Sequence, residues 1–276
     1  MKELLEALVL GVVQGLTEFL PISSTGHLIL TENLLGIPEG KFGLPFDAAI
    51  HLGTLAAVLI YFRDTVRRII AAWFASLPGL NWSRTAESRL AWLLVLGTIP
   101  AAIAGVLIES TAENELRDPV IVAAMLLLFC IPMVLAERLG NGSRAVADVT
   151  PKDALLLGAA QSVALIPGVS RSGITISTGM LAGLRREEAA SFAFLLSAPV
   201  IAGAGGKQLF DLLRDGSGAA GGIDVYLAGL VTAAIVGYAA VAFLMRYLRT
   251  NSLMIFVAYR VVLGLIVLAL VAAGAI

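Results

Sequence analysis

Charged residues thin out over six stretches of the chain, near 45–62, 90–108, 119–136, 188–206, 224–245 and 253–274. Each comes close to the roughly 20 apolar residues that a helix needs to cross a bilayer core. Two further hydrophobic blocks, 4–35 and 153–183, have the length of a span but not its continuity. The first is cut by Pro21-Ile22-Ser23-Ser24-Thr25-Gly26-His27, the second by Pro167-Gly168-Val169-Ser170-Arg171-Ser172-Gly173. Proline and glycine end a helix, and the backbone groups they free find no partner in lipid. Each break must therefore be buried in protein or line a wet cavity. The pattern predicts an all-α polytopic membrane bundle with about six spanning helices and two re-entrant helix-loop-helix segments.

Composition narrows the class further. Of 276 residues, 58% are hydrophobic and 14% charged, and mean hydropathy is +0.91. A soluble domain carries about 25% charged residues, so this chain has too few to cover a water-facing surface. Disorder, collagen and coiled coil are excluded by the same figures. The net charge of −1 gives no electrostatic case for a nucleic-acid partner. The single cysteine, Cys130, makes neither an internal disulfide nor a multi-cysteine metal site. Met1 to Leu20 carries Glu3 and Glu6 near its start and Glu18 near its end, where a secretory signal would have a basic region and a small-residue cleavage site. The segment reads as mature protein.

The two interrupted blocks resemble each other. Gly11-x-x-Gln14 followed by Ser23-x-Thr25-Gly26 parallels Gly158-x-x-Gln161 followed by Ser170-x-Ser172-Gly173 at one constant offset, although Pro21 and Pro167 are a residue out of step. Paired interruptions in two halves point to a midplane binding site. We therefore expect a single membrane domain over 1–276, with halves 1–150 and 151–276. With six spans and re-entrant breaks, one side of the membrane holds twelve basic residues: Arg63, Arg67, Arg68, Arg84, Arg89, Arg138, Arg144, Lys152, Arg185, Arg186, Arg246 and Arg249. The other side holds Lys2, Lys41, Arg117, Lys207 and Arg214, five in all, while Arg171 and Arg260 stay within hydrophobic segments. The positive-inside rule makes the richer side cytoplasmic, and the two hairpins then enter from opposite faces as an inverted repeat.

An ionisable residue at membrane depth costs at least about 2.5–3.5 kcal/mol on insertion scales and marks a functional candidate. Glu18 lies four residues after Gln14, so the two share one helix face. A carboxylate with an amide neighbour can hold a hard divalent cation, Mg2+ or Ca2+, through oxygen ligands. Ser23, Ser24 and Thr25 supply three hydroxyls, one of which caps the helix that follows, and His27 adds a group able to take or give a proton. At the second break Arg171 stands among Ser170, Ser172, Gly173 and Thr175. A guanidinium fork and a helix N-terminus both attract phosphate oxygens. If the breaks meet, these residues form a phosphate site with a candidate nucleophile, either a serine or an activated water. Elsewhere Asp47 reads as a cap of the third stretch and His51 as a hydrogen-bonded core residue. Tyr259 and Arg260 satisfy a neighbour, Trp73, Trp82 and Trp92 anchor at the interface, and Glu109, Glu113, Glu115 and Asp118 form a solvated acidic loop.

Gln14-Gly-Leu-Thr-Glu18-Phe-Leu-Pro-Ile-Ser-Ser-Thr-Gly-His27 and Pro167-Gly-Val-Ser-Arg-Ser-Gly-Ile-Thr175 resemble the (E/Q)xxxE…SSTGH and PGxSRSxxT motifs of the bacterial undecaprenyl-diphosphatases, or bacitracin resistance proteins. The resemblance implies an inner-membrane phosphatase with its site open to the periplasmic side. Such an enzyme hydrolyses undecaprenyl diphosphate to undecaprenyl phosphate and inorganic phosphate for peptidoglycan synthesis. It also implies six spans with two re-entrant pairs, divalent-cation dependence and often a homodimer. Glu18, Ser24, His27 and Arg171 match its catalytic positions, and Ser23, Ser170, Ser172 and Thr175 its supporting ones. Gln14 stands where many members have glutamate, which leaves Glu18 the stronger metal candidate. In the mechanism expected on this basis, Ser24 attacks phosphorus and Glu18 binds metal or orients His27, with His27 as general acid or base. The rival class is a transporter or flippase of an anionic polyprenyl lipid, since broken helices and inverted repeats are transporter devices too.

Overall fold

The computed structural model describes residues 1–276 except 39–40, 80, 83, 115, 117, 216–221 and 275–276. The first interrupted block becomes α1 (Lys2–Phe19) and α2 (Ser24–Leu35), and the second becomes α8 (Pro151–Val163) and α9 (Arg171–Leu181). The rest of the bundle is α3 (Gly43–Tyr61), α4 (Arg63–Ser76), α5 (Ala86–Asn114), α6 (Pro119–Leu128), α7 (Cys130–Leu139), α10 (Arg186–Asp215), α11 (Ile223–Tyr247) and α12 (Met254–Ala272). Among the described residues there is no β-strand. Five stretches, Ala86–Leu107, Pro119–Leu139, Arg186–Gln208, Ile223–Tyr247 and Met254–Ala272, are long and apolar enough to cross a bilayer, and α3 and α4, bent against each other, reach that length and apolarity only as a pair. The chain is a multi-pass membrane protein. Its outer helix faces are apolar, as on α11, where Leu227, Val231 and Ile235 recur at four-residue spacing and are exposed.

Four details depart from the sequence pattern. The 63–89 connection is not all loop, because α4 occupies its first half and meets α3 at 87°. Val66, Ile69, Trp73 and Ser76 form its inward stripe, while Asp64, Arg67 and Arg68 are exposed, so the segment is amphipathic rather than merely charged. The 119–136 stretch is not one continuous helix: a turn at Phe129 separates α6 from α7. Pro132 has no N–H to offer the Leu128 carbonyl and its ring crowds that group. Asp47 is not a cap, since α3 begins at Gly43 and has Phe42 at its N-cap position. The acidic loop is mostly helix, for α5 runs through Glu109 and Glu113 to Asn114. Asp118 caps the next helix by accepting the Val120 N–H at 2.7 Å, and Glu115 lies outside the described residues.

Small residues let the helices that carry the breaks approach their supports. Gly11 and Gly15 of α1 lie against Gly229, Ala233 and Gly237 of α11, and Gly53 of α3 lies against the Leu230 carbonyl. Gly158 of α8 meets Gly97 of α5 so closely that a Cβ at 158 would stand 2.0 Å from the Gly97 oxygen.

One side chain ties the breaks together. Arg260 of α12 is fully buried. Its Nε donates to the Leu126 carbonyl (3.2 Å), Nη1 to Pro21 (3.4 Å), and Nη2 to Met125 (3.2 Å) and Gly168 (2.9 Å). Met125 and Leu126 belong to the last turn of α6, and Pro21 and Gly168 to the two breaks. The Pro21 and Gly168 carbonyls have no other donor among the described residues, whereas Met125 also accepts the Phe129 N–H at 3.1 Å and Leu126 the Cys130 thiol at 3.2 Å.

Arg260→Met strands the Pro21 and Gly168 carbonyls in a buried place, at about 1–3 kcal/mol each. We expect a clear fall in the melting temperature of the detergent-solubilised protein. Arg260→Lys should recover only part of it, because an ammonium cannot reproduce the fork. Gly158→Ala should destabilise by about 1–3 kcal/mol through overpacking. Gly105→Ala, where a Cβ meets nothing within 4 Å, should not lower the melting temperature.

Candidate active site

The two breaks share an uncommon backbone. Ser23 sits at φ 76°, ψ 99° and Ser170 at φ 75°, ψ 108°, and they are the non-glycine residues with positive φ among those described. Such conformations cost of order 1–3 kcal/mol each and persist only where surroundings hold them. Here each break holds the other. Ser23 Oγ accepts the Gly168 N–H at 3.2 Å, and Ser172 Oγ donates to the Leu20 carbonyl at 3.1 Å. Ser170 Oγ caps α9 by accepting the Gly173 N–H at 3.2 Å and lies 3.2 Å from Ser172 Oγ. The close pass of Gly173 by Pro21, with an added Cβ only 3.5 Å from the proline ring, completes the junction.

Glu18 stands at the end of α1, directly before this junction, and is buried. Its two oxygens have different company. Oε2 accepts Ser24 Oγ–H at 2.7 Å and Gln14 Nε2–H at 3.0 Å, the second bond being the i,i+4 pairing foreseen from spacing. Oε1 faces Arg171 Nη2 at 3.3 Å. The first break thus supplies a hydroxyl and the second a guanidinium to one carboxylate. A cavity of about 10 Å3 lies beside the ion pair, bounded by Glu18, Arg171, Ser172, Thr175, Phe19 and Phe194 among others. It is room for one water at most.

His27 is near this group but turned from it. Its Nδ1–H donates to the Ser23 carbonyl at 2.7 Å, which leaves the lone pair on Nε2 to accept the Tyr259 O–H, also at 2.7 Å. The rings of His27 and Tyr259 stack with centroids 5.6 Å apart. Both ring nitrogens are therefore occupied, and the expected orientation of His27 by Glu18 is not the arrangement found. The imidazole beside Glu18 belongs to His51 of α3, with Nε2 3.8 Å from Glu18 Oε2 and Nδ1–H donated to the Asp47 carbonyl at 2.7 Å.

Of the residues expected in the site, Gln14, Glu18, Ser24 and Arg171 converge, and Ser23, Ser170, Ser172 and Gly173 build the junction that holds them. Two hydroxyls stand apart. Thr175 donates back to the Arg171 carbonyl at 2.6 Å, and Thr25, half-buried in the first turn of α2, makes no side-chain hydrogen bond among the described residues. Sequence reasoning gave His51 a hydrogen-bonded core role and had Tyr259 satisfy a neighbour, as each does here through Asp47 and His27, but placed neither beside the site. The signal for His51 was present: it is an ionisable side chain inside a spanning stretch, which the cost of burial marks as functional. Tyr259 carried no such mark.

Among the described residues no three His, Cys, Asp or Glu side chains cluster as a metal site. Gln14 Oε1 is, however, buried without a hydrogen-bond partner, and with the Glu18 carboxylate it offers hard oxygen ligands. Chemically the set is a hydroxyl on a carboxylate, with a guanidinium, a group suited to phosphate, within reach.

Residues 7–266 match the family described as bacitracin resistance protein BacA, and the chain belongs to it. A protein named undecaprenyl-diphosphatase from Rubrobacter xylanophilus is 45% identical over 98% of this chain and 99% of its own. Proteins of the same name from Moorella thermoacetica (44%; 96% and 97% covered) and Thermobifida fusca (42%; 98% and 91%) are similar to it as well.

Since the chain has two histidines, both with Nδ1–H on a backbone carbonyl, the 15N spectrum of histidine-labelled protein should show two neutral Nδ1–H tautomers at alkaline pH. Tyr259→Phe should move the Nε2 resonance of His27 and leave that of His51 in place.

Proposed function

We propose that the protein is an integral membrane phosphatase that hydrolyses undecaprenyl diphosphate to undecaprenyl phosphate and inorganic phosphate. It thereby recycles the lipid carrier of peptidoglycan synthesis and confers bacitracin resistance. Membership of the family and the shared name of relatives above 40% identity support the substrate. The observation that carries the chemistry is the Ser24 hydroxyl donating at 2.7 Å to a carboxylate whose other oxygen faces Arg171.

In this reading the Glu18–Arg171 pair is the resting arrangement. The terminal phosphate competes with Glu18 for the guanidinium, and its oxygens are bound by Arg171 and the N-terminal amides of α9. Glu18, released from its cation, takes the Ser24 proton as Oγ attacks the terminal phosphorus. The bond from that phosphorus to the bridging oxygen breaks, and undecaprenyl phosphate leaves. Water then hydrolyses the phosphoserine. His27, its Nδ1 fixed on the turn that carries Ser24, acts at Nε2 on the proton of the leaving group or of the water. Glu18 and Gln14 Oε1 would hold a divalent cation, Mg2+ or Ca2+, together with phosphate oxygens of the substrate, and the ion would supply charge neutralisation. The basic-residue bias supports placing the richer side in the cytoplasm and the site towards the outer face of the inner membrane.

Phosphate release from polyprenyl diphosphate in detergent tests the reading. With Mg2+ or Ca2+ the wild type should turn over, and Glu18→Gln, Ser24→Ala and Arg171→Ala should each lose about 10²–10⁴-fold in kcat/KM. A trapped phosphoserine at Ser24 is expected. A fully active Ser24→Ala protein would shift the role of nucleophile to water. No release by a wild type that still binds the cation would favour lipid transport instead.

A further inference from the structure

A second cavity, of about 310 Å3, lies where three spans end. The span made by α6 and α7 stops at Leu139, that of α11 stops at Tyr247, and that of α10 begins at Arg186. The cavity therefore opens at a boundary between membrane and water, and its volume is that of a small-ligand pocket. Its lining changes character from floor to rim. Ala136, Met180, Leu184 and Leu248 are buried beneath it. Arg185 and Arg249 are exposed and Arg186 is half-buried, against one lining carboxylate, Glu187.

The walls are pinned to one another. Ser143 and Arg144 donate their N–H groups to the Gly183 carbonyl at 3.1 and 2.9 Å, and the Arg185 N–H returns to the Arg144 carbonyl at 3.0 Å. Glu137 Oε1 accepts Arg186 Nε–H at 2.9 Å and the Leu253 N–H at 2.8 Å, which joins the ends of α7, α10 and α12. The three guanidinium groups differ in what they have left to give. Arg186 is committed to Glu137. Arg185 faces Glu187 at 3.6 Å and Glu188 at 3.0 Å, exposed pairs of a kind that contributes little. The side chain of Arg249 makes no hydrogen bond or ion pair among the described residues. Beside the pocket, Leu139 and Leu181 are 69% and 46% exposed and continue the apolar floor on to the outer surface of the bundle.

We propose that this pocket binds the phosphodiester headgroup of an anionic phospholipid, with Arg249 as its principal cation and Arg185 as its second. A guanidinium fork matches two phosphate oxygens, and a basic pocket between helices at the membrane surface suits an anionic headgroup. The acyl chains lie over Leu139 and Leu181, where lipid already meets the protein. A zwitterionic lipid would bring its ammonium among the guanidinium groups, and a free phosphate would leave the apolar flank uncovered. None of these residues belongs to the reaction proposed above, so the lipid site stands or falls apart from it.

The test is native mass spectrometry of the detergent-solubilised protein titrated with dioleoyl phosphatidylglycerol, dioleoyl phosphatidylcholine or inorganic phosphate. One basic residue near a membrane surface is worth about fivefold in binding an anionic lipid. Arg249→Gln should therefore weaken phosphatidylglycerol binding about 5-fold and Arg249→Glu about 25-fold, both with unchanged melting temperature because the side chain is exposed and unpartnered. Arg68→Gln, exposed on α4 outside the pocket, and Arg171→Ala, in the Glu18 site, should each stay within about 2-fold of wild type. Phosphatidylcholine should bind more weakly than phosphatidylglycerol, and inorganic phosphate should not displace the lipid at equal concentration. Equal affinity for the two lipids, or wild-type affinity in both Arg249 variants, would overturn the proposal. Loss of the lipid in Arg171→Ala would move it to the Glu18 site, and displacement by inorganic phosphate would leave a free-anion site; either result also refutes the lipid pocket.

Discussion

Everything in this bundle turns on the fate of backbone carbonyls freed where helices stop inside a membrane. Lipid offers them no donor, so a broken helix is tolerated only where the protein supplies one. Arg260 does so for both breaks and for the last turn of α6 at once. A guanidinium suits the task because its planar fork presents several N–H groups in fixed directions, where an ammonium offers one compact charge. By collecting Pro21, Gly168, Met125 and Leu126 around one side chain, α12 brings together segments far apart in sequence, and Glu18, Ser24 and Arg171 come with them.

The serines of the breaks then carry two kinds of work. Ser23 and Ser172 spend their hydroxyls on the opposite break, and Ser170 spends its own on capping α9. Ser24 and Arg171, each one residue beyond a positive-φ serine, open the two short helices and meet at Glu18. The carboxylate divides its oxygens between a hydroxyl and a cation, so the proposed nucleophile and phosphate-binding group are tethered to one residue.

Much of this was legible in the sequence. The interrupted blocks, the four-residue step from Gln14 to Glu18 and the constant offset between the serine clusters all follow from local chemistry. They fixed the class, the position of the breaks and most of the site. Periodicity was silent on three points. It could not show which imidazole faces Glu18, because the direct contact of α1 with α3 is set by the tertiary fold, in which both pack on α11. Nor could it show that Tyr259 claims His27, since residues on α2 and α12 become neighbours only through the tertiary fold. The turn at Phe129 and the helical course of α4 were readable in principle, from Pro132 and from the inward stripe Val66, Ile69 and Trp73, but hydropathy averaged over a long window erases both.

The interlock of the breaks also bears on how the molecule is made. Ser23 needs the amide of Gly168 and Leu20 needs the hydroxyl of Ser172, so neither strained turn has its partner until residues from both halves of the chain are in the bilayer. During synthesis the first interrupted block waits, incomplete, while more than half of the protein is still to be inserted, and Arg260 arrives later still. Assembly of the active site is therefore the closing event of biogenesis rather than a local one. An insertion intermediate or a truncated product would carry Glu18 and Ser24 in sequence without ever holding them as a base and its hydroxyl.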